Sequence, residues 1–285
     1  MAEAAKIVVA TTAAELRAAT EPWRRSGQQI ALVPTMGALH EGHLAHVKVA
    51  AAHAQRVVVS IFVNPTQFAP NEDFSRYPRD FDSDSAKLEG LGKVDLIYAP
   101  KTAEIYPDGF ATRISVEGPA LGLESDFRPH FFAGVATVVA KLFLHCRPHF
   151  ATFGEKDYQQ LLVVTRLAKD LDLGVEILPI PIVRDSDGLA LSSRNAYLTN
   201  EQRQIAVQLN KVLREVAQRA KAGVSIPQTE AEGAAGLINA GFDRVDYVAV
   251  RDANTLAPLA TVSGSARVLA AARLGTVRLI DNVAV

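Results

Sequence analysis

Two histidines, His40 and His43, lie in the stretch Ile-Ala-Leu-Val-Pro-Thr-Met-Gly-Ala-Leu-His-Glu-Gly-His-Leu-Ala-His-Val, residues 30–47. Either imidazole can donate a hydrogen bond to a phosphate oxygen, as a neutral tautomer or as the imidazolium. The apolar run 30–33 reads as a buried strand. Pro34, Gly37 and Gly42 then break the chain, and an apolar-periodic segment follows from Leu44. A strand feeding a glycine-bearing turn and a helix N-terminus forms an anion site, because free N–H groups and the positive end of the helix dipole face the turn. A single loop histidine is more often a solvated surface residue. A zinc helix of the His-Glu-x-x-His type needs a spacing of i, i+4, whereas His40, His43 and His46 recur at every third position.

Three further stretches carry polar groups at the expected ends of strands. Asn64 and Gln67, in Ser-Ile-Phe-Val-Asn-Pro-Thr-Gln-Phe (60–68), both donate and accept, which suits a small polyol acid; an ordinary turn around Pro65 explains them equally well. In Phe-Gly-Glu-Lys-Asp-Tyr-Gln-Gln (153–160), Gly154 permits close approach of a ligand and Lys156 places a cation at a helix start. Asp157 serves either as a helix cap or as an acceptor for a ribose or a metal-bound water. A solvated lysine and a plain cap are the bland alternatives. In Val-Arg-Asp-Ser-Asp-Gly-Leu-Ala-Leu-Ser-Ser-Arg-Asn (183–195), Ser192, Ser193 and Arg194 set two hydroxyls beside a guanidinium, as a phosphate clamp or as a helix-cap run.

The elements that must position these groups alternate. Strands are expected at 6–10, 30–33, 57–63, 94–98, 149–153 and 175–182, and helices at 12–25 (capped by Thr11 or Thr12), 43–54, 82–91, 134–146 and 157–171. Between them lie a long polar loop at 64–79 and a poorly patterned segment at 100–126 with one candidate strand, 112–116. The alternation predicts an α/β fold, a Rossmann-like doubly wound parallel sheet with ligands at the carboxyl ends of its strands. Beyond residue 185 the pattern changes to helices at 201–222 and 229–240 and strands at 245–250, 266–272 and 277–280. That implies a smaller α+β C-terminal domain, with units 1–185 and 186–285.

Composition narrows the field. Thirty basic residues against 31 acidic ones leave a net charge of −1, which disfavours bulk binding to nucleic acid or an anionic membrane. The lone Cys146 suits a reducing cytoplasm and, in an apolar run, reads as a buried structural thiol. No apolar run reaches transmembrane length, and Glu3 and Lys6 open a chain without a signal-peptide pattern.

The His-x-Gly-His turn after a strand resembles the signature of nucleotidyltransferases and class I aminoacyl-tRNA synthetases. Pro34-Thr35-Met36-Gly37, Asn-Pro-x-Gln-Phe at 64–68, Gly-Glu-Lys-Asp-Tyr-Gln-Gln at 154–160, Leu-Ser-Ser-Arg-Asn at 191–195 and the terminal Arg278-Leu279-Ile280-Asp281-Asn282 narrow it to the pantoate–β-alanine ligase family. The resemblance implies an AMP-forming ligase of pantothenate and coenzyme A biosynthesis. ATP and (R)-pantoate give a bound pantoyl adenylate and pyrophosphate, and β-alanine then gives pantothenate and AMP. It implies ATP contacts from Met36, Gly37, His40, His43, Gly154, Lys156, Asp157, Val183, Leu191, Ser192, Ser193 and Arg194. Of these, His40, His43, Lys156, Ser192, Ser193 and Arg194 stabilise transition-state charge. It implies pantoate contacts from Gln67, Gln160 and Asn64, Mg²⁺ near Asp84 and a homodimer. An acidic helix N-terminus is the alternative for Asp84. One departure stands out: in 127–139, His130 occupies a position where the family has glycine, which would strain the loop and unsettle Arg128 if the φ there were positive.

Rival readings fit less of the chain. A plain nucleotidyltransferase has no use for Gln67 and Gln160, and a regulator without catalysis has none for Lys156 and Ser192-Ser193-Arg194. A dinucleotide Gly-x-Gly-x-x-Gly after the first strands and a Walker Gly-Lys-Ser/Thr are both missing.

Overall fold

In the computed structural model, which describes residues 6–69 and 72–285, the apolar runs become strands and the periodic segments helices. Positions 70 and 71 of the polar loop and Glu3 lie outside the described residues. Strand β1 (Val8–Ala10) leads into α1 (Ala13–Arg25), which Thr12 caps in a reciprocal box with Glu15. Next come β2 (Ile30–Thr35), α2 (Glu41–His53), β3 (Arg56–Ile61), α3 (Phe81–Leu91) and β4 (Leu96–Tyr98). Two single-turn helices, α4 (Thr102–Ile105) and α5 (Glu124–Phe127), precede α6 (Phe131–Cys146), β5 (Phe150–Gly154), α7 (Tyr158–Asp170) and β6 (Glu176–Ile180). The chain ends in α8 (Asn200–Ala206), α9 (Gln208–Lys221), α10 (Ile226–Asn239), β7 (Arg244–Asp252), β8 (Ala266–Leu274) and β9 (Val277–Ala284).

The first six strands form one parallel sheet in the order β1-β4-β3-β2-β5-β6, and the last three an antiparallel sheet. This is the expected doubly wound fold with its smaller α+β portion. Alternate residues of β2 enter opposite cores. Ile30 and Leu32 pack with Leu16, Phe143 and Leu167, whereas Ala31 and Val33 pack with Val47, Leu88 and Ile97. Burial on both faces explains why the run carries no polar alternation. A third core, including Leu213, Leu237, Val250 and Val268, supports the small sheet.

The order reverses direction between β2 and β5, which makes that junction the topological switch point where a crevice opens. Its geometry is visible in the register. Strand β2 pairs with β3 as far as Thr35–Ile61, but with β5 only at Ala31–Phe150 and Leu32–Ala151. The carboxyl ends of β2 and β5 therefore part, and the turns that follow them face each other across a gap.

Some expectations needed correction. Residues 112–116 form no strand: Ile114 N–H donates to Thr137 Oγ1 on α6 at 3.0 Å, and Ile114 and Val116 pack on the first core, so the apolar alternation reflects packing on a helix. The single helix expected at 201–222 is broken at Val207 into α8 and α9, although the apolar period runs through the break. Helix α6 starts at Phe131, not Gly134, and α10 starts at Ile226, with Pro227 in its first turn where a missing N–H costs nothing. His130 has φ −87°, so the residue in place of glycine is unstrained. Cys146 is buried, and burial pushes its thiol up to about 12. Among the described residues no helix is long and apolar enough to cross a membrane.

Candidate active site

The turn after β2 is held from outside. Asp84, on α3 and 1% exposed, accepts the N–H groups of Ala38 (2.9 Å) and Leu39 (2.7 Å), one on each carboxylate oxygen. Lys87 donates to the Leu39 carbonyl at 2.8 Å. Gly37 has φ +81°, and a Cβ there would sit 3.0 Å from Asp84 Oδ2, so glycine is needed for both conformation and space. Asp84, expected near Mg²⁺, thus anchors the turn: it is sealed from the cleft and its oxygens are engaged by backbone. Gly37 also works here, as clearance for that anchor.

The anchored turn delivers the histidines as caps of their own helix. His40 Nδ1 accepts the Gly42 N–H at 3.1 Å, and His43 Nδ1 accepts the His40 N–H at 3.3 Å. A Cβ on residue 42 would stand 2.8 Å from the His40 ring, which accounts for the glycine between the histidines. Accepting at Nδ1 requires that atom to be unprotonated, so both rings are neutral and carry their proton on Nε2. Burial and the nearby Lys156 ammonium lower His40 to about 4, while burial and His40 hold His43 well below the usual range. The pair therefore offers two N–H donors without charge.

Across the gap, the 3₁₀ turn Glu155–Asp157 after β5 carries Lys156, 3.8 Å from the Asp157 carboxylate. Gly154 has an ordinary φ of −76°; the space above it is filled by the His46 ring, whose Nε2 would lie 3.2 Å from a Cβ. The close approach expected of a ligand is made there by His46, which also bonds Thr152 Oγ1 at 3.2 Å.

At the other end, Asn64 is 1% exposed and fully employed. Its amide nitrogen donates to Gln67 Oε1 (2.8 Å) and the Gly134 carbonyl (3.2 Å), and its oxygen accepts from Thr66 and Tyr106. Expected as a substrate contact, Asn64 instead orients Gln67: with Oε1 occupied, Gln67 presents its NH₂. Gln160, half-buried, has no hydrogen bond from its side chain among the described residues and lines the same cavity. Its neighbour Gln159 is 3% exposed and holds the loop before α5, accepting from Glu124 N–H and donating to Pro119 and Gly122 carbonyls. Arg128 pairs with Glu72 at 2.7 Å, bonds the Gln67 carbonyl at 2.9 Å and stacks on Phe131.

The roof is the segment 183–195. Leu191 N–H bonds the Val183 carbonyl at 3.0 Å, closing a hairpin whose Asp187-Gly188 tip is the expected turn. Ser192 caps the following 3₁₀ turn, Ser193 Oγ donates to the Ala38 carbonyl at 3.2 Å, and Arg194 makes a bidentate pair with Asp73 at 3.0 Å. The expected clamp is thus already latched to the histidine turn and to the 64–79 loop. The pair with Asp73 uses Nε and Nη2 of Arg194, so the Nη1 face of the guanidinium keeps its donors for a phosphate.

The cavity measures about 830 Å³ and is lined by Met36, His40, His43, Gly154, Lys156, Asp157, Val183, Leu191, Ser192, Ser193 and Arg194, and also by Asn64, Gln67 and Gln160. Of the expected residues only Gly37 and Asp84 stand behind the lining. Sequence reasoning missed the C-terminal contribution: Arg278 forms a bidentate pair with Glu124 (2.8 Å each), Tyr247 donates to Glu124, and Asp281 holds Arg184 at 2.7 and 2.9 Å. Polar residues at Asp281 and Asn282, within a buried strand, were the available signal.

The matching family model, described as Pantoate-beta-alanine ligase, covers residues 8–284. A pantothenate synthetase of Nitrobacter hamburgensis is 56% identical over 97% of this chain and 98% of its own. A crystal structure of pantothenate synthetase from Thermus thermophilus superposes with a TM-score of 0.90 at 48% identity, over 97% of this chain and 99% of its own. That of a Francisella tularensis pantoate-beta-alanine ligase, complexed with beta-gamma ATP and beta-alanine, gives 0.81 at 34% identity, over 97% of both chains. With a switch-point cleft of this composition and full-length matches of this closeness, the chain belongs to the pantoate–β-alanine ligase family.

Proposed function

We infer that the cleft performs the family's ATP-dependent condensation of (R)-pantoate with β-alanine in two steps, with ATP across the switch point and pantoate at the Gln67–Gln160 end. The observation that carries this assignment of subsites is the pair of neutral Nε2–H donors on His40 and His43 in one cavity with Lys156 and the Gln67 amide. The pantoate carboxylate attacks the α-phosphorus in line and pyrophosphate leaves. The amine of β-alanine then attacks the acyl carbon, and AMP departs with one former carboxylate oxygen. Catalysis is mainly positioning and charge stabilisation. His40, His43 and Lys156 receive the departing phosphates, joined by Ser192, Ser193 and Arg194. Neither histidine has a free lone pair for the β-alanine proton, since both Nδ1 atoms are committed to caps.

Magnesium is part of this reading. Among the described residues no three His, Cys, Asp or Glu side chains converge on a metal position. Glu72, Asp73, Glu124 and Asp281 are tied to arginines, leaving Asp157 as the cleft carboxylate without one among the described residues. This donor set fits a cation that arrives on the substrate phosphates and keeps most of its water, as Mg²⁺ does. When bound it would offset phosphate charge, with Asp157 within its outer shell. The reading also takes residues 1–185 as the ATP- and pantoate-binding unit and 186–285 as the lid, a homodimer as the assembly, and the cytoplasm as the location. The last two rest on the family resemblance and on the single buried thiol.

Three measurements test it. Labelled pyrophosphate should exchange into ATP only when pantoate is present, and pantoate bearing ¹⁸O in its carboxylate should pass one label to AMP. Unlabelled AMP alongside pantothenate, or ADP with labelled phosphate, would refute the adenylate route. Sedimentation at micromolar concentration should show two copies, and a monomer would remove the dimer from the reading.

A further inference from the structure

The last strand carries two buried polar residues with no part in the chemistry above, Asp281 (3% exposed) and Asn282 (2%). The Asn282 amide nitrogen donates to the carbonyls of Glu155 at 2.8 Å and Lys156 at 3.0 Å. Its oxygen accepts from Arg267, whose guanidinium also reaches Glu155 Oε2 at 3.3 Å and lies 3.8 Å over the Tyr158 ring. A guanidinium can only donate, so the Asn282 amide has one satisfied orientation, with its NH₂ on the two carbonyls. Beside it, Asp281 accepts the Asn282 N–H at 2.7 Å and holds Arg184, the residue after Val183, in a bidentate pair.

We propose that Asn282 is a positioning residue for the ATP half-reaction, setting the Glu155–Lys156 backbone and hence the Lys156 ammonium. The inference rests on the reading of Lys156 as a phosphate-binding group. The turn that carries Lys156 is a single 3₁₀ turn without a side-chain cap, and its carbonyls are held from the opposite domain by Asn282. Adjacent residues of β9 thus fasten both arms of the nucleotide site: the Lys156 turn through Asn282, and the 183–195 hairpin through Asp281 and Arg184. Docking of the small sheet and alignment of Lys156 become a single event. Displacing a reacting contact by about 1 Å is enough to cost about 10²-fold in rate.

Asn282→Asp keeps the shape of the side chain but sets an acceptor against two carbonyls. Pantoate-dependent pyrophosphate exchange should fall ~10- to 100-fold with a raised KM for ATP, while the KM for pantoate stays within about twofold. In a Lys156→Ala background the same change should add less than about threefold, because the group it positions is gone. Circular dichroism at the assay temperature verifies folding. Should Asn282→Asp not fold, Arg267→Met, which frees the Asn282 oxygen, is read the same way and should give the same ATP-side signature. Unchanged exchange in the folded variant, an effect on pantoate alone, or the full loss repeated on top of Lys156→Ala would overturn the proposal. Wild-type enzyme without pantoate-dependent exchange would refute the function itself, a separate failure.

Discussion

At the scale of single residues, the histidines combine two tasks that substitutions can separate. Nδ1 of His43 caps the helix, and in the proposed function Nε2 is the donor offered to phosphate. An asparagine reproduces the position of Nδ1 and a glutamine that of Nε2. His43→Asn should keep the cap, and so melt near wild type, yet lose about 10²–10³ in pyrophosphate exchange, the usual cost of one preorganised donor. His43→Gln should retain more exchange and melt lower, a missing cap being worth about 0.5–2 kcal/mol. Equal exchange rates for the two variants would show that Nε2 is not the working atom. Asp84 teaches the complementary lesson. A carboxylate beside a nucleotide site invites a metal role, but its two backbone acceptor contacts make it part of the scaffold.

At the scale of elements, the proposed pantoate end depends on how closely α6 approaches the Pro65–Gln67 turn. A Cβ on Gly134 would sit 2.5 Å from the Thr66 carbonyl oxygen, and the Gly134 carbonyl is itself a partner of Asn64. Gly134→Ala must therefore push the turn away and carry Gln67 with it. The expected result is a KM for pantoate raised ~10-fold or more while the KM for ATP moves little, as for a loss of ground-state binding at one subsite. Gly90 is a control within α3: a Cβ there meets nothing within 4 Å. Gly90→Ala should stabilise the chain by about 0.5–1 kcal/mol in urea melts, the helix preference of alanine over glycine, without changing either KM.

At the scale of the whole molecule, the cleft makes stability depend on pH. Burial lowers His40 and His46 to about 4 and holds His43 well below the usual value of 6.5. Between these values the unfolded chain binds more protons than the folded one, so stability rises with pH through that window and is lost on acidification. The urea midpoint should be lower at pH 5 than at pH 7.5, and a triple His→Gln variant should show a flatter profile. A midpoint indifferent to pH over this range would mean that the rings are not held neutral. The same scale governs the junction between the two sheets' layers, where Arg278 on β9 of the small sheet meets Glu124 on α5 in a pair that is almost fully buried. Arg278→Met would leave Glu124 without its main partner and should cost about 3–5 kcal/mol, read as a loss of the urea midpoint.

What the sequence determined by itself were the properties written locally. Apolar runs buried on both faces marked β2 and β3, strand–helix alternation implied the parallel sheet, and short motifs marked the turns after β2, β3 and β5 that line the cavity. Local patterns also carried their own errors: an apolar period continues through Val207 where the helix breaks, and 112–116 alternates because it packs on α6. Tertiary structure alone decided which polar residues face the cleft and which support it. Asn64 and Gln67 are three positions apart and similar in chemistry, yet the first is buried behind the second. Asp84 and Asn282 act on partners 45 and 126 positions away, respectively. Such assignments rest on which backbone groups need a partner in the folded molecule, a demand that exists only once distant segments have been brought together.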